Sequence, residues 1–355
     1  MNDELPASFG RLTSLPRQTL CSGRTPLESM PNLSRYCGGA QLFVKRDDCT
    51  GLAFGGNKVR QLEFYLGDAV AQRADTILIT SAVQSNFVRT AAAAARKLGM
   101  TCHIQLEERV ATDAPRYHDS GNVLIDKLLG ATLHSYPDGE DEAGADRQLG
   151  EIAADLRKEG HRPYIIPLAP GHPPLGALGY IVAAKEIVGQ CEESDLLIDE
   201  IVVGSGSGAT HAGLLFGLKA LGSNVRMTGS CVRRAADLQH GRIHETCKGI
   251  ATLLGIESPV VEEDIQLTDA FLAPGYGELN EATSRAIVLG AQTEGLIIDP
   301  VYTGKTLAAA IDRAQNADPH SAILFLHTGG TPAIFAYQEK IEAALKAFSA
   351  AELSR

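Results

Sequence analysis

Short apolar runs recur along the chain, each followed by small polar residues and then by a stretch of helical period. Thr76–Thr80 (TILIT) and Ala322–Leu326 (AILFL) are unbroken by polar alternation, the pattern of parallel strands buried on both faces. Further strands are predicted at Gln41–Arg46, Thr101–Leu106, Thr132–Tyr136, Pro163–Pro167, Asp199–Val203, Met227–Arg233 and Leu296–Ile298. Helices are predicted near Leu27–Cys37 and from Lys58 to about Ala74, with Leu62, Tyr65, Leu66 and Ala69 as its apolar positions. Others follow at Phe87–Leu98, Ser120–Leu129, Glu142–Glu159, Gly179–Gln190, from Ala212, over Thr283–Thr293, from Tyr302, and over Ile334–Leu353. Gly99, Gly130 and Gly160 end three of them, since glycine tolerates the left-handed turn after a helix. Residues 1–40 read as an extended arm, and the segment to about Leu267 as helix with loops.

Sustained alternation of strand and helix makes this an α/β chain with parallel sheets. Pro170-Gly171-His172-Pro173-Pro174 is the sharpest break and a crossing point between domains.

Composition narrows the function. Of 355 residues, 44% are hydrophobic and 21% charged, as in ordinary globular proteins. A net charge of −11, no tryptophan and 5% aromatics argue against nucleic-acid partners, which demand basic patches and stacking platforms. No apolar run is long enough to span a bilayer, and the acidic start Met1-Asn2-Asp3-Glu4 is unlike a secretory signal. Seven scattered cysteines without a CxxC pair suit reduced thiols in a cytoplasm. Cys49 reads as a small buried packing residue. His240 and His244 share a helix face at i, i+4, but no third ligand accompanies them, so no metal is expected.

Candidate chemistry sits in the loops between strand and helix, because ligands collect at the carboxyl ends of strands in open α/β sheets. Gly55-Gly56-Asn57-Lys58 places a lysine behind a double-glycine turn; read alone it is a surface lysine or a Schiff-base lysine directed into a cleft. Gly204-Ser205-Gly206-Ser207-Gly208-Ala209-Thr210 opens a helix, either as a tight packing turn or as a phosphate cup at a positive dipole end. A dinucleotide site would need a differently spaced third glycine and a carboxylate near residues 223–227, and a Walker loop would need Gly-Lys-Ser/Thr; neither is present. A lysine able to bind a carbonyl and a cup for a single phosphate together point to pyridoxal 5'-phosphate. Ser81–Asn86 would serve a ring oxygen and a substrate carboxylate. Thr328 would offer the ring nitrogen a neutral hydroxyl, leaving it mostly unprotonated and favouring elimination. His211 and His327 read as packing residues beside these loops, and Asp47-Asp48 as a turn with salt bridges.

The motifs KRDD, GGNK, QSN, the Gly/Ser loop, PGYG, DPVYTGK and HTGG, spread from Thr25-Pro26-Leu27 to Phe335-Ala336-Tyr337, resemble the D-cysteine desulfhydrase and 1-aminocyclopropane-1-carboxylate deaminase family. The resemblance implies fold type II: a tryptophan synthase β-like α/β architecture of two open, twisted, mostly parallel sheets flanked by helices. It implies Lys58 as the cofactor's lysine, Asn86 at its ring hydroxyl, Gly204 to Thr210 around its phosphate and Thr328 at its ring nitrogen. Ser85 would lie near the substrate carboxylate, with Gln84, Asn86, Tyr276, Tyr302 and Thr303 completing the substrate set. The deaminase branch carries Glu and Leu where this chain has Thr303 and Thr328, so the desulfhydrase branch is favoured.

A larger unit of residues 1–57 and 171–355 and a smaller one of 58–170 are expected, with the cofactor between them. The expected reaction is β-elimination on a small amino acid, D-cysteine first. Cysteate, serine, chloroalanine and 1-aminocyclopropane-1-carboxylate are rivals, and a non-catalytic binder of phosphorylated metabolites is the rival of another class. A homodimer is implied by the resemblance. Two departures stand out: Gln61 where relatives usually carry Lys, and Ala169–Pro174 in place of Gly-Gly-Ser, where His172 either meets the substrate or belongs to a stiffer hinge.

Overall fold

The computed structural model describes residues 9–169 and 171–348. Ten strands are found among the described residues: β1 Leu27–Ser29, β2 Gln41–Lys45, β3 Thr76–Ala82, β4 Thr101–Glu107, β5 Thr132–Tyr136, β6 Pro163–Ile166, β7 Glu200–Ser205, β8 Arg226–Cys231, β9 Gln266–Thr268 and β10 Ala322–Leu326. They form a six-stranded sheet in the order β1-β2-β10-β7-β8-β9 and a four-stranded sheet in the order β5-β4-β3-β6. Every pairing is parallel except β1 with β2.

β3 and β10 are buried along their whole length, because each is a central strand with helices on both faces. In the smaller sheet Ile79 sits between Ile104 and Ile166. Above them lie helices Asn57–Ala71 and Asn86–Lys97. The buried alanines Ala91 to Ala95 let the second helix settle close to the strands. In the larger sheet helices Leu178–Glu193 and Ala209–Ala220 pack on one face, and helices Glu281–Glu294 and Thr303–Asn316 contribute to the core on the other. The four-stranded sheet falls within residues 76–166, and all strands of the other sheet lie outside that range.

Several elements differ from the sequence reading. Leu27–Ser29 is a strand rather than the start of a helix: Leu27 pairs with Lys45, and the helix begins only at Pro31, whose missing N–H suits a first turn. Leu296–Ile298 forms no strand; Leu296 N–H closes on the Gly290 carbonyl, and the run is irregular chain with Leu296 and Ile298 buried and Ile297 exposed. β9 was expected as helix or loop, and its three residues are held only by β8. The helix after β7 starts at Ala209 rather than Ala212, and a short helix at Pro115–Asp119 carried no sequence signal. The last helical stretch breaks at Tyr337 into Ala333–Ala336 and Gln338–Ala347; its expected end at Leu353 and Pro170 lie outside the described residues.

A buried charge network anchors the loop that carries Lys58. Asp47 accepts from Arg60 (3.0 and 2.9 Å), Thr25 (2.7 Å) and Tyr180 (2.5 Å), and Glu186 joins Arg60 and Lys45 to it. Burial alone would raise the Asp47 carboxyl, but Arg60 and Lys45 outweigh it and hold it below the ordinary range. The neighbouring Asp48 pairs with Arg46.

Candidate active site

The double-glycine turn exists for steric reasons. Gly55 has φ +63 and a Cβ there would lie 2.0 Å from the Asp48 carbonyl oxygen; Gly56 has φ +113 and faces the Thr328 carbonyl oxygen at 3.0 Å. The turn feeds straight into helix Asn57–Ala71, so Lys58 stands on its first turn and lines a cleft of about 800 Å³, counting the part open to solvent. Its amine lies 4.7 Å from the centre of the Phe87 ring and donates to Gln61 Oε1 at 3.2 Å. Desolvation pulls its pKa down to about 8, so a neutral amine is populated near physiological pH.

The opposite wall is the glycine-serine loop after β7. Gly204, Gly206, Ser207, Gly208 and Thr210 line the cleft. Gly208 takes φ +99 just before helix Ala209–Ala220, and a Cβ on Gly206 would press on Val232 at 3.0 Å and the Tyr302 ring at 3.4 Å. Ser205 and Ala209 are not on the wall. Ser205 is fully buried, with His211 Nδ1 at 3.0 Å and Gln239 Nε2 at 2.9 Å from its hydroxyl, because alternate residues of a strand face opposite ways. Burial pushes the His211 imidazole down to about 3, so it stays neutral.

Thr210 shows what the cup is prepared for. Its Oγ1 accepts from both Asn57 Nδ2 and Gln61 Nε2, each at 2.8 Å. Two donors occupy the oxygen's lone pairs, leaving the hydroxyl proton to be given to a ligand. Gln61, fully buried, thus joins the amine to the cup.

On the smaller sheet's side, Ser81, Ser85, Asn86 and Phe87 line the cleft. Ser85 caps helix Asn86–Lys97, accepting from the Phe87 N–H at 3.1 Å. Asn86 is steadied by Asn122, whose Nδ2 donates to its Oδ1 at 3.1 Å. Gln84 is turned away: it donates to the carbonyls of Tyr117 (2.6 Å) and Ser120 (3.0 Å) and accepts from the Asn122 N–H. Tyr276 and Tyr302 close the cleft with hydroxyls 2.8 Å apart; burial raises both phenols above their ordinary pKa. Thr303 is fully buried off the cleft wall, its hydroxyl bonded to Asp299 Oδ1 at 2.5 Å. Thr328 lines the cleft, and among the described residues its hydroxyl has no hydrogen-bond partner.

Four charged lining residues went unnoticed in the sequence: Arg109, Glu142, Arg233 and Arg242. Arg233 stands just beyond β8, at the carboxyl end of a strand, which is the one signal that pointed to it. Glu142 opens helix Glu142–Lys158 and meets Arg233 Nη1 at 2.7 Å, Arg242 Nη1 at 3.2 Å and Arg234. Burial alone would raise its pKa, but the three guanidiniums outweigh it and hold the carboxyl below its usual range.

Other sequence candidates lie elsewhere. His172 is half-exposed, 3.2 Å from Asp146, and not on the cleft wall. Cys49 is exposed rather than buried, because the short turn Asp47–Cys49 points it outward. His240 and His244 approach Glu262, and no group of residues able to hold a metal ion occurs among the described residues.

A desolvated amine, a glycine cup with a free hydroxyl proton and a neutral Thr328 hydroxyl are the donor set that an aldehyde bearing one phosphate and a pyridine ring requires, so the residues fit pyridoxal phosphate. Comparison with known proteins agrees. A family model described as pyridoxal-phosphate dependent enzyme matches residues 19–329. A D-cysteine desulfhydrase of Salmonella typhi is 42% identical over 332 residues, covering 93% of this chain and 98% of that protein. One from Klebsiella pneumoniae matches to the same extent, 42% over 332 residues. The crystal structure of an ACC deaminase homologue superposes with a TM-score of 0.85 at 36% identity, over 96% of this chain and 100% of that one. O-ureido-L-serine synthase, at 19% identity, TM-score 0.65, and 92% and 94% coverage, shares the fold. Matched by that family model over residues 19–329 and by 42% identical relatives along nearly its full length, the chain belongs to the family of pyridoxal-phosphate dependent enzymes.

Proposed function

We propose that the chain is a carbon–sulfur lyase that eliminates the β-substituent of a small amino acid, D-cysteine first, yielding pyruvate, hydrogen sulfide and ammonia. The observation that carries this reading is one cleft lined by both the desolvated Lys58 amine and the Tyr276–Tyr302 hydroxyl pair. These are a base and an acid of the kinds a proton-neutral elimination needs.

Lys58 would hold the cofactor's aldehyde carbon, Gly206 to Thr210 its phosphate, Asn86 its ring hydroxyl and Thr328 its ring nitrogen. When bound, pyridoxal phosphate supplies the electron sink that makes the Cα proton acidic. Ser85 and the N-terminus of helix Asn86–Lys97 orient the substrate carboxylate through hydroxyl and dipole. The Lys58 amine, neutral above about pH 8, takes the Cα proton. The tyrosine pair keeps its protons through neutral pH and delivers one to the departing sulfur. Phe87 beside Lys58 and the half-buried tyrosines shield the reacting carbon from bulk water.

The same reading divides the chain into a larger unit, 1–57 with 171–355, and a smaller one, 58–170, closing on the substrate. It places the enzyme in the cytoplasm, in keeping with seven free thiols, and makes it a homodimer. The exposed apolar side chains Leu124, Leu128 and Phe335 on neighbouring helices support self-association. The test is pyruvate release from a panel of D- and L-cysteine, serine, chloroalanine and 1-aminocyclopropane-1-carboxylate by wild type and Lys58→Ala. Turnover of D-cysteine that Lys58→Ala abolishes supports the reading; absence of pyruvate from every substrate, or full activity in Lys58→Ala, ends it.

A further inference from the structure

The loop that carries Tyr276 is turn and coil between β9 and helix Glu281–Glu294. Two side chains capture its carbonyls. Asn280, the cap of that helix, donates Nδ2 to the Phe271 carbonyl at 3.1 Å and to the Ala273 carbonyl at 2.8 Å. Lys305 takes two more: its amine donates to the Leu272 and Gly275 carbonyls, each at 2.6 Å. The Glu278 carboxylate, on the same loop, adds a favourable charge. Just past Tyr276 the chain has little room, since Gly277 takes φ +70 and a Cβ there would lie 2.5 Å from Val110 and 2.8 Å from the Tyr337 hydroxyl.

Lys305 occupies a costly place. It is fully buried and stands in the first turn of helix Thr303–Asn316, where the positive dipole end opposes a cation and burial opposes any charge. A methionine would fill similar space without either cost. What the ammonium adds is donors for two carbonyls turned inward from the loop. Lys305 itself is not on the cleft wall. Its helix, however, is capped by Tyr302, whose carbonyl accepts from the Thr306 N–H at 3.1 Å. One side chain thus ties the helix that sets Tyr302 to the loop that sets Tyr276, whose hydroxyls meet at 2.8 Å.

We propose that Lys305 is a positioning residue that holds the Tyr276 phenol against that of Tyr302. The proposal rests on the β-elimination reading above, in which the pair protonates the departing sulfur. Without the ammonium the Leu272 and Gly275 carbonyls turn to water, and the loop draws Tyr276 away from its partner. The Lys58 amine and the Ser85 cap stand on other elements and stay in place. Loss of Lys305 therefore lowers kcat more than it raises KM.

The test has two arms. In the apoenzyme, 3-fluorotyrosine placed at position 276 is followed by fluorine NMR in wild type, Lys305→Met and Lys305→Ala. One narrow line is expected in wild type, and a line moved toward that of free fluorotyrosine in both variants. Propylammonium, the fragment missing from Lys305→Ala, should restore the wild-type line, and 1-propanol of the same length should not. In the holoenzyme, kcat for pyruvate release from D-cysteine should fall about tenfold in Lys305→Met, with KM moving less than about threefold. Added to Tyr276→Phe, the same change should cost less than about twofold more, because the relay is already broken. An unmoved fluorine line, equal rescue by propanol, or a full second loss in the Tyr276→Phe background overturns the proposal and leaves the elimination reading standing. Failure of both variants to fold also overturns it, since the lysine would then serve the core as a whole. If wild type releases pyruvate from no amino acid, the elimination reading falls, and the fluorine spectra still decide whether Lys305 holds the loop.

Discussion

Gln61 Nε2 and Thr210 Oγ1 are 2.8 Å apart, and this bond ties the helix that carries Lys58 to the helix that follows the glycine-serine loop. Because Asn57 donates to the same oxygen at 2.8 Å, the Thr210 proton is free for a phosphate. Thr210→Val removes that donor without changing shape. The apoenzyme is therefore expected to bind pyridoxal phosphate roughly 10- to 100-fold more weakly, the worth of a hydrogen bond to a charged group. Gln61→Leu removes one of two props and is expected to cost less than Thr210→Val. Fluorescence titration of apoenzyme with the cofactor measures both, and equal affinity in Thr210→Val would refute the role.

The Lys58 amine is poised by burial alone, with no neighbouring cation contributing to its shift to about pH 8. Its folded value lies below the ordinary lysine value of 10.5, so between those pH values the unfolded chain binds more protons. Stability of the apoenzyme from this group rises with pH across that window. The same shift makes the neutral amine roughly 300 times more abundant at pH 7 than on an ordinary lysine. Modification of apoenzyme by a small aldehyde, followed by mass spectrometry at Lys58, should show a midpoint near pH 8. A midpoint near that of surface lysines would count against desolvation as the cause.

Tyr276 and Tyr302 share one hydrogen bond, so one hydroxyl proton is used between them and the other is left for the substrate. Tyr276→Phe and Tyr302→Phe are each expected to lower kcat at least tenfold, within the range of a lost general acid. The double variant should lose much less than the product of the two, since either change disables the same relay. Additive losses would mean that the two phenols act separately.

The parts of the site that sequence made legible are those where backbone geometry itself demands a residue type. Gly56 before Lys58 and Gly208 before Thr210 have φ of +113 and +99, and the turns they make stand out in any reading of the chain. Thr303 and Gln84 adjoin lining residues in sequence, yet Asp299 claims the first and the Tyr117 and Ser120 carbonyls the second. Nothing local separates a side chain turned into a cleft from a neighbour turned into the core. The arginine cluster was hidden for a different reason: Glu142 and its three partners lie about 91 to 100 residues apart, and only the tertiary fold brings the start of helix Glu142–Lys158 to the chain beyond β8. Likewise, the apolar run Leu296–Ile298 reads as a strand because burial and β-pairing favour the same residues, but no strand pairs with it.

Arg89 and Asp126 are both fully buried, on helices that pack together, yet neither reaches the other. Among the described residues, Arg89 Nε and Nη1 and both Asp126 carboxylate oxygens lack partners; Arg89 Nη2 alone is used, at 3.1 Å from the Gly55 carbonyl. Burial pushes the Asp126 carboxyl up to about 8, the pull of Arg89 being the weaker influence. Its folded value thus exceeds the unfolded one, so the native state binds the extra proton and stability from this group falls as pH rises from about 4 to 8. Asp126→Asn cannot titrate. Its melting temperature relative to wild type should therefore climb across that interval, by roughly 1 °C at pH 8 for each kcal/mol removed. A flat difference, or one that moves toward wild type with rising pH, would mean that Arg89 holds Asp126 ionised across the gap, and that the ion pair rather than its burial governs this corner beneath the Lys58 turn.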